Sequence, residues 1–238
     1  MATIFIGITV ICYAVAMLLW LRFRSYRYLL VLIAGHCTIL AEPILQRFYS
    51  LTYPAEVAAL SVFGNSVPIY SLLAASWIGG LPVLLMYFGQ QQHWWTRHYM
   101  TGLVAYIALV LYHIIVQGLA ARTGLWRYSQ SVGAWGINFY LLMAILAGLS
   151  SLLLFYAMVA TRYYAAEIAV PTLLAATVLS PLVCFGVLGA PFWLPRLIDS
   201  SSNFTKPALV VIAGLVLWVV HLASAGIHAS RQHHVIER

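Results

Sequence analysis

The stretch Gly35–Tyr49, GHCTILAEPILQRFY, places Glu42 inside a run that otherwise has the composition of a membrane-spanning helix. Crossing the hydrocarbon layer takes about 20 mainly apolar residues. A carboxyl within such a run costs roughly 2.5–3.5 kcal/mol on insertion scales, so an intramembrane acid usually faces the bundle interior and has a function there. Gly35, Thr38, Glu42, Gln46 and Tyr49 recur at steps of three and four, which stacks them on one face of an α-helix. Pro43, directly after the acid, removes a backbone donor and predicts a kink.

Outward from this stretch the chain keeps the same character. Of its 238 residues, 63% are hydrophobic and only 7% charged, with a mean hydropathy of +0.94. Soluble domains carry about 25% charged residues. The expected fold is therefore all-α: a polytopic membrane protein, a bundle of seven transmembrane helices near 2–21, 28–46, 62–88, 99–120, 133–160, 168–190 and 207–228. Little is left for a soluble domain, so residues 1–238 read as one domain. No basic residue precedes the first segment and no clear small-residue cleavage pattern follows it, which predicts a retained helix and not a signal peptide. Cys12, Cys37 and Cys184 all fall within spans without metal-motif spacing, so neither a disulfide framework nor a zinc site is implied.

The net charge of +7 does not signal nucleic acid, because the basic residues sit singly or in small groups at segment ends. One side carries Arg22, Arg24, Arg27, Arg97, Arg162, Arg231 and Arg238; the other carries Arg47, Arg122, Arg127, Arg196 and Lys206. The dense group after the first segment predicts the N-terminus outside and the C-terminus in the cytoplasm. The expected setting is a plasma or endoplasmic-reticulum-type membrane, with the lipid bilayer as the first partner.

Other segments supply companions for the acid. Asn65 sits at the outward end of the third, which also holds Trp77, the pair Gly79–Gly80 and Pro82. In the fourth, Tyr99, Tyr106, His113 and Gln117 keep to one helical face. The loop beyond it and the entry to the fifth bring Trp126, Arg127, Tyr128, Trp135 and Asn138 together, and Asp199 joins the rim from the last loop. In the seventh, Trp218, His221, Ser224 and His228 again share a face. Under the predicted orientation Glu42, Gln46, Asn65, His113, Gln117 and Asn138 all occupy the outer half of the bundle and are expected to line one cavity.

A protonated acid in an aromatic, water-poor cavity is equipped to make and handle a carbocation. Desolvation keeps the proton on the carboxyl, the proton is delivered to an alkene or epoxide, and aromatic faces stabilise the cation. Exclusion of water prevents early quenching. In this reading Glu42 is the acid, Gln46 and Asn65 support it by hydrogen bonds, and His113 and Asn138 are polar groups on the opposite wall. Trp77, Trp126, Tyr128 and Trp135 are the candidate cation stabilisers, with Gln117, Arg127 and Asp199 also at the substrate. No cofactor is required.

The seven-segment layout, the acid in the second segment and the run Asn138–Phe139–Tyr140–Leu141–Leu142–Met143 resemble the integral-membrane terpene cyclases of meroterpenoid and indole-terpenoid pathways. The stretch Thr123–Tyr128, TGLWRY, with Gln117 ahead of it, is more distantly similar to small membrane carotenoid cyclases and hydratases. The first resemblance implies that Glu42 is a proton donor and that the substrate is a small hydrophobic isoprenoid or related lipid, cyclised by an isomerase- or lyase-type reaction. That family is expected to carry a second acid in the last helix, where this chain has His221; the carotenoid enzymes are expected to carry one where Gln117 stands.

Two other classes compete with this enzyme reading. His36 and His221 lie at matched depths in the second and seventh segments and are candidate axial ligands of a haem b held between the helices, as in a small b-type cytochrome or redox subunit. Alternatively, the chain is a transport or accessory membrane protein with Glu42 and His113 as proton-coupled groups.

Overall fold

A computed structural model describes residues 2–54, 59–92, 94, 99–129, 138–198 and 204–236, with residues 2 and 230–236 as backbone alone. Among these residues seven helices are long and apolar enough to cross a membrane: Thr3–Phe23, Arg27–Tyr49, Ile69–Gln91, Met100–Thr123, Phe139–Ala160, Ala166–Leu188 and Thr205–Ala229. The chain is an all-α, multi-pass protein suited to a lipid bilayer.

The first span is α1 (Ala2–Phe23) and lies at the periphery, burying Phe5, Thr9, Cys12 and Ala16 along one stripe. The second is α2 (Arg27–Gly35), a 3-10 segment (His36–Ala41) and α3 (Glu42–Tyr49). The third is α4 (Ile69–Ala75), a π-helical turn (Ser76–Gly80) and α5 (Leu81–Gln91). Then come α6 (Met100–Thr123), α7 (Phe139–Ala160) and α8 (Ala166–Pro181), the last continued by a π-helical segment (Leu182–Leu188). The short α9 (Ala190–Ile198) leads towards α10 (Thr205–Ile236). The central helix is α7: it packs against α5, α6, α8 and α10, and 72% of its most apolar stretch is buried.

The third span starts later than residue 62. Residues 59–68 form an antiparallel hairpin of β2 (Ala59–Val62) and β3 (Asn65–Pro68), turned by Phe63 and Gly64, both at positive φ (47° and 79°). A second small pairing joins β1 (Leu51–Thr52) to β4 (Arg127–Tyr128), with Leu51 opposite Tyr128. Ser50, left-handed at φ 52°, ends α3 and turns the chain into β1; Gly124 does the same for α6 at φ 67° and leads to β4.

Three spans depart from α-helical winding, and a proline stands beside each departure: Pro43, Pro82 and Pro181. Pro43 has no N–H for the Ile39 carbonyl four residues back, and that carbonyl instead accepts from the Glu42 N–H in a tighter 3-10 turn. In the π turn, Pro82 likewise offers no N–H, and the Trp77 carbonyl accepts from the Tyr112 hydroxyl at 2.7 Å. In the third departure the Phe185 carbonyl accepts from the Tyr49 hydroxyl at 2.6 Å and from Trp193 Nε1 at 3.3 Å. Side chains thus take up backbone acceptors that no lipid could satisfy. Tyr49→Phe is therefore expected to cost about 1–3 kcal/mol through the poorly satisfied Phe185 carbonyl, read as a lowered melting temperature in detergent.

The second and third spans touch backbone to backbone where they unwind. A Cβ on Gly80 would stand 2.8 Å from the Val31 carbonyl oxygen, and one on Gly35 would stand 3.0 Å from the Ser76 backbone. Small residues at both points permit this approach.

Candidate functional site

The three irregularly wound segments, one tightened and two widened, converge on one cavity of about 130 Å³. Thr38 and Ala41 reach it from the 3-10 segment, Ile78 and Gly79 from the π turn of the third span, and Phe185 from that of the sixth. Local departures from α-helical winding are common at functional sites, because they re-aim side chains that a continuous helix would hold elsewhere. Here the tightened segment delivers Glu42 to the cavity wall as the first residue of α3.

The Glu42 carboxyl is held from the loop side. Tyr53, two residues into the chain after α3 and β1 turn over, donates its hydroxyl to Glu42 Oε2 at 2.6 Å. The β1–β4 pairing brings Tyr128 beside this contact, and Trp126 follows from the same loop. Burial, together with the neighbouring carboxylate, pushes the Tyr53 phenol well above its usual range. Burial raises Tyr128 in the same way, again with the Glu42 charge adding to it. Both phenols remain protonated donors throughout the physiological range.

The opposite wall is built by α6 and α7. His113 is buried and shares a 2.9 Å hydrogen bond between Nε2 and Ser151 Oγ, while Nδ1 has no hydrogen-bond partner. One turn along α6, Gln117 Oε1 accepts from Trp126 Nε1 at 3.2 Å. Ser150 lines the same wall and donates to Ser180 at 3.2 Å. The cavity therefore combines one carboxyl, one imidazole, two phenols and several hydroxyls within a largely apolar surround.

No family model, curated protein or solved structure matches this chain. What the cavity does rests on its own chemistry.

Five of the residues given a catalytic or substrate role from the sequence meet there: Glu42, His113, Gln117, Trp126 and Tyr128. Others are placed differently. Gln46 and Asn65 do not support Glu42: Gln46 Nε2 donates to the Ser66 carbonyl at 3.0 Å, and Asn65 Nδ2 to the Phe63 carbonyl at 3.2 Å, both in the hairpin. Asn138 caps α7, its side chain accepting from the Tyr140 N–H at 3.0 Å, and does not line the cavity. Trp77 packs on Phe5 of α1 instead, at 5.7 Å between ring centroids. Arg127 is exposed on β4. Trp135 and Asp199 lie outside the described residues.

The two histidines proposed for haem both make hydrogen bonds within the protein. His36 contacts the Leu72 carbonyl at 2.7 Å through Nδ1 and the Tyr13 hydroxyl at 2.9 Å through Nε2. His221 lies on an exposed face, hydrogen-bonded through Nδ1 to Tyr99 at 2.7 Å. Trp218 is also exposed, whereas Ser224 is buried, so the seventh span's polar residues do not share one inward face.

The cavity residue beside Glu42 that sequence reasoning missed is Tyr53. It lies in a loop, outside any helical period, and reaches Glu42 only through the turn at Ser50 and the β1–β4 pairing. Ser150 and Ser151 had a readable signal: adjacent hydroxyls in the otherwise apolar run of α7.

Proposed function

We propose that this cavity is the active site of an integral membrane enzyme that acts on an isoprenoid or related lipid by acid-initiated carbocation chemistry, as a terpenoid cyclase does. The observation that carries the reading is the pairing of Glu42, buttressed by Tyr53 at 2.6 Å, with His113 on the far side of the same aromatic-lined space. The N-terminus lies outside and the C-terminus in the cytoplasm, so the loop end that holds Tyr53 faces outwards.

The size of the cavity limits what reacts in it. A cavity of about 150 Å³ accommodates benzene, so 130 Å³ holds one prenyl-sized unit. The rest of the substrate lies outside it, along the spans. Glu42 gives its proton to the double bond or epoxide of that unit, the O–H bond breaking as the new bond to hydrogen forms. The faces of Trp126, Tyr128 and Phe185 stabilise the cation that results. With Nε2 donating to Ser151, His113 keeps a free lone pair on Nδ1, which removes a proton from carbon and closes the sequence with a new double bond. Acid and base act in turn, and the product is an isomer of the substrate.

The direct test supplies prenylated and epoxidised prenyl substrates to proteoliposomes. A product of unchanged mass in ordinary water that carries deuterium when formed in D₂O supports the reading. Quantitative recovery of unaltered substrate across the panel sinks it. His113→Leu separates the two roles: substrate consumption is expected to change less than about tenfold, because proton delivery is intact, while the product mixture shifts to other alkenes or to alcohols. An unchanged mixture removes the base assignment.

A further inference from the structure

We infer that Tyr53 is the route by which Glu42 regains its proton, drawn from water in a second cavity at the loop end of the bundle. The inference rests on the reading of Glu42 as an acid that gives up a proton at each turnover. Such an acid has to be reloaded, and the apolar walls that protect the cation also keep bulk water from the carboxyl.

The second cavity, of about 320 Å³, lies between α3, residues 52–54 and the β2–β3 hairpin. Gln46, Thr52 and Ser66 give it a polar lining, and Thr52, Pro54 and Ser66 are exposed, so it meets solvent. Among the described residues, two line both this cavity and the inner one: Leu51 and Tyr53. Leu51 has no group that can pass a proton. Tyr53 has one, and it is already in place, 2.6 Å from Glu42 Oε2 and hydrogen-bonded as well to Ser71.

The transfer balances without any further reactant. As the Tyr53 O–H bond breaks towards the Glu42 carboxylate, a new O–H bond forms on the phenol oxygen from a proton carried by water in the outer cavity. Glu42 ends protonated, Tyr53 ends unchanged, and one proton has entered from the loop side. The proton taken up by His113 returns to water once the product has left, whereas the Tyr53 path reloads Glu42 while the inner cavity is still filled. Because burial and the neighbouring carboxylate hold the Tyr53 phenol above its usual range, the passage is concerted and no standing phenolate forms.

The test needs no substrate. Infrared spectra of the purified protein, recorded after mixing with D₂O, follow the carbonyl stretch of a protonated carboxyl, and Glu42→Gln identifies the band by removing it. In the wild-type protein the band should shift quickly. Tyr53→Phe, which keeps the ring and deletes the relay, should slow the shift at least about tenfold. Ser66→Trp, a change at an exposed hairpin position that fills the outer cavity, should slow it too and provides a variant that leaves Tyr53 intact. Exchange as fast as wild type in both variants overturns the relay while leaving Glu42 as the acid. A wild-type protein with no Glu42-dependent band overturns the acid assignment and the relay together. Slowed exchange in both variants, combined with no turnover of any prenyl substrate, keeps the proton route and removes only the proposed reaction.

Discussion

Glu42→Gln is expected to lower turnover of an isoprenoid substrate by about 10³-fold or more while leaving the protein folded. The amide is the same size as the carboxyl and keeps an oxygen that can accept from Tyr53, so the 2.6 Å contact and the cavity wall survive. What is lost is the transferable proton, and general acid catalysis alone is worth about 10²–10⁴-fold. The stability effect should run the other way. Removing an ionisable group from the bilayer interior relieves part of a cost of roughly 2.5–3.5 kcal/mol, so the melting temperature should hold or rise. Rate and melting curve measured on the same preparation separate chemistry from folding. Activity within tenfold of wild type would falsify the acid role.

Gly80→Val is expected to cost about 3 kcal/mol or more and to remove most of the folded protein. Even a bare Cβ there would stand 2.8 Å from the Val31 carbonyl oxygen and 3.2 Å from Leu32 Cα, and these are backbone atoms that cannot swing aside. Valine adds two methyl groups to that collision, so the second and third spans have to separate beside the cavity. Overpacking of a tight contact typically costs about 1–3 kcal/mol and occasionally more, and this site lies at the upper end because the obstacle is main chain. Gly118→Ala is the matched control: nothing lies within 4 Å of its Cβ position. It should be neutral, or stabilising by up to about 1 kcal/mol from helix propensity. Fluorescence-detected size exclusion and thermal melting of the two variants provide the comparison. If Gly80→Val is as stable as Gly118→Ala, the close approach is not a feature of the protein in its membrane.

The spans were readable because composition and length alone identify a lipid-crossing helix, and the inward stripe of the second span was readable because 3.6-residue winding survives on either side of its kink. Thr38 and Glu42 do face the cavity, and Tyr49 is buried against the sixth span. His113 and Gln117 were found for the same reason, since α6 is unbroken over its whole length. The expected third segment starts at residue 62 and so takes in Asn65, whereas Phe63–Gly64 makes a hairpin turn and the helix begins only at Ile69. Trp77 was misplaced because it sits in the π turn, where the extra residue per turn rotates side chains away from the α-helical face. Tyr53 was invisible because its position depends on a pairing between residues 51 and 128, and no local period encodes that contact.

The unwound turns also bear on how the protein is built. A helix released alone into lipid must satisfy its own carbonyls, yet the Trp77 and Phe185 carbonyls draw partners from Tyr112 of the fourth span and Tyr49 of the second. The second span additionally brings a carboxyl into the membrane and finds the Tyr53 hydroxyl only once the loop end has closed. During synthesis the second, third and sixth spans therefore emerge as incomplete lodgers in the bilayer, each settled by a neighbour. The second, third and sixth crossings are thus completed only alongside the spans that supply their partners, the fourth among them, which makes their biogenesis cooperative.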